Sequence, residues 1–371
     1  MSRSRPESTS EPTVAAYRDG LVAWYREHQR DLPWRREPTP WRVWVSEIML
    51  QQTRVEAVIP YFLRFLDRFP TPEALAAASE EEALEAWSGL GYYRRVRMLQ
   101  AGARTVVEGY DGEFPWDFDE ILALPGVGRY TAGAIASIAL EQRAPIVDGN
   151  VIRVLTRIFG VEGDVSKAAT SKQLWALARE VVEVGKPSEV NQAQMEFGAL
   201  LCLPRNPKCD ACPCAAFCVA RATDRIEDFP QLPPKKKSVD VERDVLLVRR
   251  GAKVLLRRRR DDELLPGLWD FPGCFTGRGG DVSTDLDFAR GLLPFPVEIE
   301  GMVGTHRHGI THRRITLRVH AARTKSRATR GEDGAELQWV DPIDALDLAL
   351  SSPARRILQK FAAQQPLLGG A

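Results

Sequence analysis

The spacing of apolar residues changes once along this chain, and that change separates two folds of different class. Between residues 13 and 228, apolar residues recur every three to four positions, as in "TPWRVWVSEIMLQQT", which is typical of helices with one buried face. Beyond residue 239 the period is two, as in "VERDVLLVRR" and "ITLRVHAA", and Gly-rich turns separate the runs, which is typical of strands. The sequence therefore predicts an all-α half followed by an α+β half.

The segment between the two patterns predicts a domain boundary. "DFPQLPPKKKSVD" combines two adjacent prolines with three lysines, a composition that favours a linker over a packed element. A chain of 371 residues is also long for a single core. We therefore expect a disordered tail at residues 1–12, a helical domain at 13–228, a linker at 229–238 and a second domain at 239–371.

The overall composition narrows the partners and the compartment. The formal net charge is +1, so a nucleic-acid partner would have to be bound by local basic patches. No apolar run reaches the ~18 residues that a membrane span needs. The N-terminal segment lacks the pattern of a secretory signal. We therefore expect no membrane partner and a reducing, cytoplasmic compartment.

The cysteines are concentrated in one place: five of the six lie in "CLPRNPKCDACPCAAFC", residues 202–218. In a reducing compartment this indicates a metal or an iron–sulfur centre rather than disulfides. Four of them have the spacing C-x6-C-x2-C-x5-C, namely Cys202, Cys209, Cys212 and Cys218. Zinc and a [4Fe–4S] cluster both accept four thiolates, so these residues alone leave the choice open. The fifth, Cys214, is expected to be a bystander thiol.

A glycine-rich turn precedes a helix of small residues in "LPGVGRYTAGAI", residues 124–135. Gly126 and Gly128 allow a tight turn and a close approach of the backbone to something outside the protein. The first N–H groups of the following helix are unpaired and carry its positive dipole end, so a DNA phosphate would fit there. The alternative is a plain turn between two helices with a glycine-rich corner.

Two carboxylates lie in contrasting surroundings. Glu47 stands among apolar residues in "WVSEIMLQQT", where desolvation should raise its pKa and suit it to donate a proton. Asp148, in "VDGNVIRV", directly precedes a helix, whose N–H groups and dipole should lower its pKa and keep it ionised. Such a pair suits cleavage of a glycosidic bond. The alternatives are the polar edge of a helix and a simple N-cap, and the residues alone leave open whether the two side chains meet.

Six segments of the helical half recur in one known family. In chain order they are "LPWR", "SEIMLQQT", "GLGYYRRVRML", "LPGVGRYTA", "VDGNVIRV" and "NQAQMEFGALLC". Together they resemble the MutY-type adenine DNA glycosylases, a group of the helix-hairpin-helix glycosylases, and the likeness extends over residues 13–225. The resemblance implies excision of adenine mispaired with 8-oxoguanine, or with guanine, in double-stranded DNA. It also implies a monofunctional enzyme that leaves an abasic site, because Tyr130 stands where strand-cutting relatives carry an imine-forming lysine.

The same resemblance implies catalytic roles and a cofactor. Glu47 would protonate N7 of the extruded adenine and later activate water, and Asp148 would stabilise the sugar cation, with Tyr130 and Asn150 assisting. The four spaced cysteines would hold a [4Fe–4S] cluster that acts as a structural staple.

Further residues are implied in DNA binding. Trp34 and Arg35 would form the adenine pocket, and Glu196 would help to position the base. Gln52 and Tyr92 would act as wedges that fill the space left by the extruded base. In the cysteine loop, Arg205 and Lys208 would face phosphates.

The second half resembles the Nudix-like C-terminal domain of these glycosylases, starting from "KVLLRRRRDDELLPGLWDFPG". The following segment, "CFTGRGGDVSTDLDFARGLL", has no glutamate to bind magnesium, so we expect recognition rather than pyrophosphate hydrolysis. Residues 301–330 carry eight Arg/Lys and no Asp or Glu, which predicts a phosphate-binding surface, with a solvated face as the alternative. Where the family has a Phe-Ser-His triplet that probes 8-oxoguanine, this chain has Ile310, Thr311 and His312, so the ring is lost.

Two other functions remain to be separated from this one. A bifunctional endonuclease III-like enzyme acting on oxidised pyrimidines is disfavoured by Tyr130 and by the second domain. A non-catalytic protein that only scans DNA is disfavoured by the presence of both Glu47 and Asp148. The resulting hypothesis is a bacterial, monomeric adenine DNA glycosylase.

Overall fold

The computed structural model describes residues 13–234, 237–263, 266–274, 283–310 and 312–362. By their internal contacts these residues form two compact units, one of residues 13–76 with 101–234 and one of residues 77–100 with 237–362. The first unit is helical and the second contains a mixed sheet, so the predicted fold class is confirmed. The domain bounds inferred from the linker stay a prediction.

Between residues 13 and 222 the regular secondary structure is made of helices. Their bounds are Val14–His28 (α1), Pro33–Arg36 (α2), Pro40–Leu50 (α3), Val55–Arg68 (α4), Pro72–Ala77 (α5), Glu80–Ala86 (α6), Arg94–Gly109 (α7), Phe118–Ala123 (α8), Arg129–Ala134 (α9), Gly149–Phe159 (α10), Ala168–Val182 (α11), Pro187–Leu200 (α12) and Val219–Ala222 (α13). None of the helices in the described part of the chain is long and apolar enough to cross a bilayer.

Local sequence signals start several of these helices. Thr39 caps α3 by accepting a hydrogen bond from the backbone N–H of Arg42, and Pro40 occupies the first helical position. Ser79 and Glu82 form a capping box at the start of α6. These caps satisfy N–H groups that would otherwise lack a partner within the helix.

The helix predicted after the glycine-rich turn is divided. The α-helix α9 ends at Ala134, and residues Ile135–Ala139 continue as a π-helix. Gly133 lies so close to a neighbouring segment that a β-carbon there would be 2.3 Å from the carbonyl oxygen of Pro145. The Ser137 hydroxyl donates to the Gly133 carbonyl at 2.6 Å. A π-turn of this kind is rare and is often found beside functional sites.

The second unit is built on a six-stranded mixed sheet of order β3-β2-β1-β5-β4, with β6 pairing with β2. The strands are Val239–Arg250 (β1), Lys253–Arg258 (β2), Trp269–Asp270 (β3), Glu298–Ile310 (β4), Arg313–Arg323 (β5) and Leu337–Val340 (β6). Strands β1 and β5 run parallel, and the other pairs are antiparallel.

Helices cover both faces of this sheet. Because side chains alternate along a strand, Val245 and Leu247 of β1 enter one apolar core while Leu246 and Val248 enter another. The first core includes residues of Ser352–Ile357 (α15), and the second includes Ala289 of Leu286–Gly291 (α14). The apolar spacing of "PIDALDLAL" favours a helix, but this segment forms only a short 3-10 turn at Asp344–Asp347.

Candidate active site

A cavity of about 580 Å³ in the helical unit brings together most of the residues predicted for catalysis and adenine binding. Side chains from helices α2, α3, α9, α10 and α12 line it. The predicted residues among them are Trp34, Arg35, Glu47, Gln52, Tyr130, Asp148, Asn150 and Glu196. The two acidic residues, 101 positions apart in sequence, therefore line one cavity.

Glu47 reaches the cavity from the buried side of α3. Its side chain is almost fully buried, at 6% exposure. Burial is the main reason why the pKa of Glu47 rises from 4.5 to about 7, and the charge of Asp148 raises it further. A hydrogen bond from Tyr130 and the charge of Arg35 oppose this rise. At neutral pH the side chain therefore exists in both protonation states, as a group that gives and takes a proton requires.

Asp148 is the N-cap of α10 and also lines the cavity. One carboxylate oxygen accepts the backbone N–H of Val151 at 2.7 Å, and the other accepts the Asn150 amide at 3.0 Å. The predicted lowering of the Asp148 pKa is wrong in direction, because burial raises it and outweighs these hydrogen bonds and the charge of Arg153. Asp148 thus caps α10 and lines the cavity at the same time, but the helix end alone does not determine the pKa of its side chain.

Tyr130, on α9, lies between the two carboxylates and α12. Its hydroxyl lies 3.0 Å from the sulfur of Met195 and is also within hydrogen-bond reach of Glu47, and its single proton is donated to one of the two at a time. Burial raises the pKa of Tyr130 well above its usual range, and the charges of Glu47 and Asp148 raise it further. The phenol therefore stays neutral and serves as a hydrogen-bond donor in this cavity.

Glu196 is held by two arginines rather than open to a ligand. Arg30 donates to it from its backbone N–H at 2.9 Å and from its guanidinium at 2.7 Å, and Arg35 donates at 3.0 Å. Burial acts to raise its pKa, but these interactions outweigh burial and hold the pKa at about 2. Arg30 was not predicted as a site residue, because it lies outside the "LPWR" segment. Its nearness to that segment is the signal in the sequence that could have identified it.

A second residue that the sequence analysis missed, Arg153, connects Asp148 to the cysteine loop. Its guanidinium donates to the side-chain oxygen of Asn150 at 2.9 Å and to the Cys202 carbonyl at 2.8 Å. It also donates to the Gly198 carbonyl at 2.8 Å. Since Asn150 donates to Asp148, one hydrogen-bonded chain runs from the cysteine loop to the cavity. Its position one turn after Asn150 is the signal that could have identified it.

The glycine-rich turn has the conformation that its sequence requires. Gly126 has a φ of +78°, in the left-handed region that favours glycine, and Gly128 caps the start of α9. A β-carbon built on Gly128 would meet no atom within 4 Å, so this part of the backbone faces open space. The turn is therefore accessible to a partner outside the protein.

The two predicted wedge residues share an unusual backbone conformation. Gln52, in the helical unit, has a φ of +57° and an exposed side chain. Tyr92, in the second unit, has a φ of +49° and is 45% exposed. A left-handed conformation costs a residue with a β-carbon about 1–2 kcal/mol. Strain of this kind at an exposed residue is typical of functional sites.

The four spaced cysteines line one small cavity of about 20 Å³, together with Arg157 and Arg221. All six cysteines are free thiols, and Arg157 approaches the Cys202 sulfur at 3.5 Å. Within the described residues, no three His, Cys, Asp or Glu side chains are grouped so as to hold a single metal ion. Four thiols lining one cavity are the donor type that an iron–sulfur cluster takes.

Cys214 is not among the residues that line that cavity, although its thiol is hydrogen-bonded to the thiol of Cys212. It is fully buried and packs beside Gly20 of α1, where a β-carbon would lie 3.8 Å from its sulfur. Cys274 is buried in the first core of the sheet.

The basic stretch at residues 301–330 carries less free charge than its sequence indicates. Arg314 pairs with Asp240 at 2.6 Å, and Arg318 pairs with Asp244 at 2.8 Å, both across the parallel β1–β5 pair. Arg323 pairs with Glu298 on β4. Three of the eight cations are thus neutralised by neighbouring strands, and the predicted phosphate-binding surface is correspondingly weaker.

Two of the three residues at the predicted 8-oxoguanine probe can be described. Ile310 ends β4 and packs against the first core of the sheet. The backbone carbonyl of His312 accepts the N–H of Val239 at 2.9 Å. Thr311 lies outside the described residues.

Comparison with known proteins assigns both halves of the chain. Residues 45–180 match the HhH-GPD superfamily of base excision DNA repair proteins, and residues 244–360 match the NUDIX domain. A solved structure of a thermostable thymine-DNA glycosylase is similar to 57% of this chain and 97% of its own, with 30% identity and a TM-score of 0.53. The fold is thus that of a helix-hairpin-helix DNA glycosylase joined to a NUDIX domain.

Full-length relatives narrow the class further. The chain is 34% identical to the adenine DNA glycosylase of Homo sapiens, over 95% of its own length and 75% of the relative's. It is 30% identical to the adenine DNA glycosylase of Buchnera aphidicola subsp. Schizaphis graminum, over 94% and 99% of the two chains. The chain belongs to the adenine DNA glycosylase family, whose members hydrolyse the N-glycosidic bond of adenine in DNA.

Proposed function

We propose that this enzyme removes adenine mispaired with 8-oxoguanine, or with guanine, from double-stranded DNA and leaves an abasic site without cutting the strand. The observation that carries the proposal is that Glu47 and Asp148 line one cavity with different hydrogen-bond partners. Glycosidic bond cleavage needs one group that delivers a proton to the leaving base and one that stabilises the sugar cation.

Glu47 is the proton donor in this proposal. With a pKa of about 7, it carries the proton in a large fraction of molecules at neutral pH. Protonation of adenine N7 draws electrons from the glycosidic bond, which breaks to leave neutral adenine and a sugar cation. The resulting Glu47 carboxylate then takes a proton from the water that attacks the cation, so the acid is regenerated.

Asp148 is the group that stabilises the cation. It is the better placed of the two carboxyls to be charged, because Val151, Asn150 and Arg153 all favour its ionised form. Tyr130 stays neutral and has no amine, so an imine with the sugar cannot form at this position. This is the basis for proposing a monofunctional enzyme.

The remaining predicted residues serve DNA binding. Trp34 and Arg35 form a wall of the adenine pocket, and Glu196 positions Arg35 through their ion pair. Gly126 and Gly128 contact a phosphate, and Gln52 and Tyr92 fill the space that the extruded adenine leaves. Residues 310–312 of the second domain, taken as 239–371, probe the base opposite.

Cys202, Cys209, Cys212 and Cys218 hold a [4Fe–4S] cluster, and residues 13–228 form the domain that it stabilises. The cluster supplies a structural crosslink to the loop of residues 202–218. Arg157 binds that loop independently, because it donates to the backbone carbonyls of Leu203 and Pro204 at 2.6 and 3.1 Å.

The test compares excision on four duplexes, which carry A:8-oxoguanine, A:G, A:T or an oxidised pyrimidine. The wild-type enzyme is expected to release adenine fastest opposite 8-oxoguanine and to give no borohydride-trapped adduct. Glu47→Gln should abolish release yet still bind the A:8-oxoguanine duplex, whereas Glu27→Gln, on the exposed side of α1, should act like the wild type. Substantial excision by Glu47→Gln, or an efficiently trapped adduct, would show that the proposed chemistry is wrong.

A further inference from the structure

The loop that carries Tyr92 adopts a conformation that local sequence alone does not favour. Gly89 and Gly91 have φ values of +104° and +71°, and Tyr92 follows with +49°. Two of these residues are glycines and adopt left-handed conformations freely, but Tyr92 pays a conformational cost. A strained residue persists only where the surrounding structure fixes it, so contacts outside the turn are needed.

Part of the restraint comes from within the loop. The Trp87 indole donates to the Gly91 carbonyl at 3.2 Å, and the Arg95 guanidinium donates to the same oxygen at 3.2 Å. Arg95 also lies 5.2 Å from the ring centroid of Tyr92 and 5.6 Å from that of Trp87. The Arg95 cation thus contacts both rings, and Tyr92 is restrained although 45% of it stays exposed.

The rest of the restraint comes from a segment more than 250 residues farther along the chain. The Tyr93 hydroxyl donates to the Leu350 carbonyl at 2.6 Å and accepts the Gly89 N–H at 3.3 Å. Arg355 donates to the Ser88 hydroxyl at 2.8 Å. Tyr93 is 1% exposed, so its hydroxyl does not exchange these partners for water.

The contacting segment is itself fixed to the sheet. The backbone N–H of Trp269 donates to the Ala349 carbonyl at 2.9 Å, and the backbone N–H of Ser351 donates back to the Trp269 carbonyl at 3.1 Å. Ser351 also caps α15, the helix that carries Arg355. Since β3 pairs with β2 and the ladder continues through β1 and β5 to β4, one hydrogen-bonded frame extends from the anchor to residue 310.

We propose that residues 348–355 position the loop of residues 88–93. The second unit then both probes the base opposite adenine and holds Tyr92, the tyrosine that enters the duplex. Tyr93 and Arg355 are the positioning residues. This inference rests on the proposed function, because it takes Tyr92 as the wedge and residues 310–312 as the probe. Its consequence is that the Tyr93 hydroxyl and the Arg355 cation control base extrusion without contacting DNA.

The test measures extrusion separately from affinity. A duplex with 2-aminopurine opposite 8-oxoguanine reports unstacking by fluorescence, and the single-turnover rate constant for adenine release reports the chemistry that follows. Affinity is measured on a duplex with an abasic analogue opposite 8-oxoguanine, in which no base is left to extrude. Tyr93→Phe and Arg355→Met should each lower unstacking and release about fivefold or more, because each loses a hydrogen bond worth ~1 kcal/mol between the loop and residues 348–355, and Tyr93→Phe also loses the one from Gly89. Both variants should bind the abasic duplex as tightly as the wild type does.

Matched controls separate this role from general stability and charge. Tyr17→Phe removes the hydroxyl of another buried tyrosine, one that has no hydrogen-bond partner among the described residues. Arg356→Met removes the same charge as Arg355→Met from the exposed neighbouring position. Both should stay within twofold of the wild type, with all proteins compared per active site by titration.

Two results would overturn the inference. One is that Tyr93→Phe and Arg355→Met extrude the base as well as the controls do. The other is that they lose affinity for the abasic duplex by the same factor as they lose extrusion, which would mark a loss of fold. If instead the wild-type protein does not distinguish A:8-oxoguanine from A:T, the proposed function fails before the variants are compared.

Discussion

Replacing the buried Glu47 by glutamine should stabilise the folded protein at alkaline pH even as it abolishes catalysis. The pKa of Glu47 is about 7 in the cavity against 4.5 for an ordinary glutamate. Between these two values the folded protein retains a proton that the unfolded chain has lost. Ionisation therefore favours the unfolded chain, and stability falls as the pH rises through this window.

The size of the effect follows from the two pKa values. Their difference corresponds to about 3 kcal/mol at ~1.4 kcal/mol per pKa unit, all of it present near pH 8. Glutamine imitates the neutral carboxylic acid and does not ionise, so Glu47→Gln escapes this cost. The variant should exceed the wild type in free energy of unfolding by about 3 kcal/mol near pH 8 and by less than about 1 kcal/mol near pH 5.

Urea unfolding of both proteins at the two pH values measures this difference, with Glu27→Gln as the control for an exposed carboxyl. A stability gain of equal size at both pH values would mean that glutamine merely packs better. A variant less stable than the wild type near pH 8 would mean that the cavity favours the charged form. Either result would refute Glu47 as a carboxyl that burial keeps protonated.

Three further predictions follow from the same geometry. Adenine release at saturating enzyme should fall above about pH 7, approaching tenfold per pH unit, as Glu47 loses its proton; a flat single-turnover profile would contradict this. Gly198→Ala places a β-carbon 2.6 Å from a side-chain carbon of α10 and should lower the free energy of unfolding, measured in urea, by about 1–3 kcal/mol. The β-carbon of Gly109→Ala meets no atom within 4 Å, so this control should be neutral or slightly stabilising. Cys212→Ser should reduce the iron content and the unfolding temperature, whereas Cys214→Ser should keep the iron; equal iron loss would place Cys214 among the ligands.

The degree of burial of a site residue, and hence its pKa, is the property that the sequence predicts least well. The N-cap position of Asp148 and its helix N–H donors were predictable from "VDGN", and both are present. Its pKa nevertheless rises, because the same side chain is also enclosed by α3, α9 and α12. Desolvation depends on how completely other segments cover a group, and no local pattern contains that quantity.

The predicted basic surface of residues 301–330 carries less free charge than expected for a related reason. A window of residues 301–330 has no acidic residue, yet Arg314 and Arg318 pair with acidic residues of β1. The parallel pairing of β1 with β5 aligns positions 74 residues apart, so a charge count along the chain misses them. Arg30 and Arg153 were missed in the same way, since their partners come from distant helices.

The sequence by itself determined the two fold classes, the N-cap of α10 at Asp148 and the grouping of four thiols, because periodicity, capping and short spacings act within a few residues. Only the tertiary structure decided that two distant carboxyls line one cavity and that both are harder to ionise than usual. It also decided that the Tyr92 loop belongs with the sheet, through Tyr93 and Leu350. These outcomes depend on which surfaces pack together. The energy of that packing comes from contacts between residues that are remote in the chain, so no local pattern specifies it.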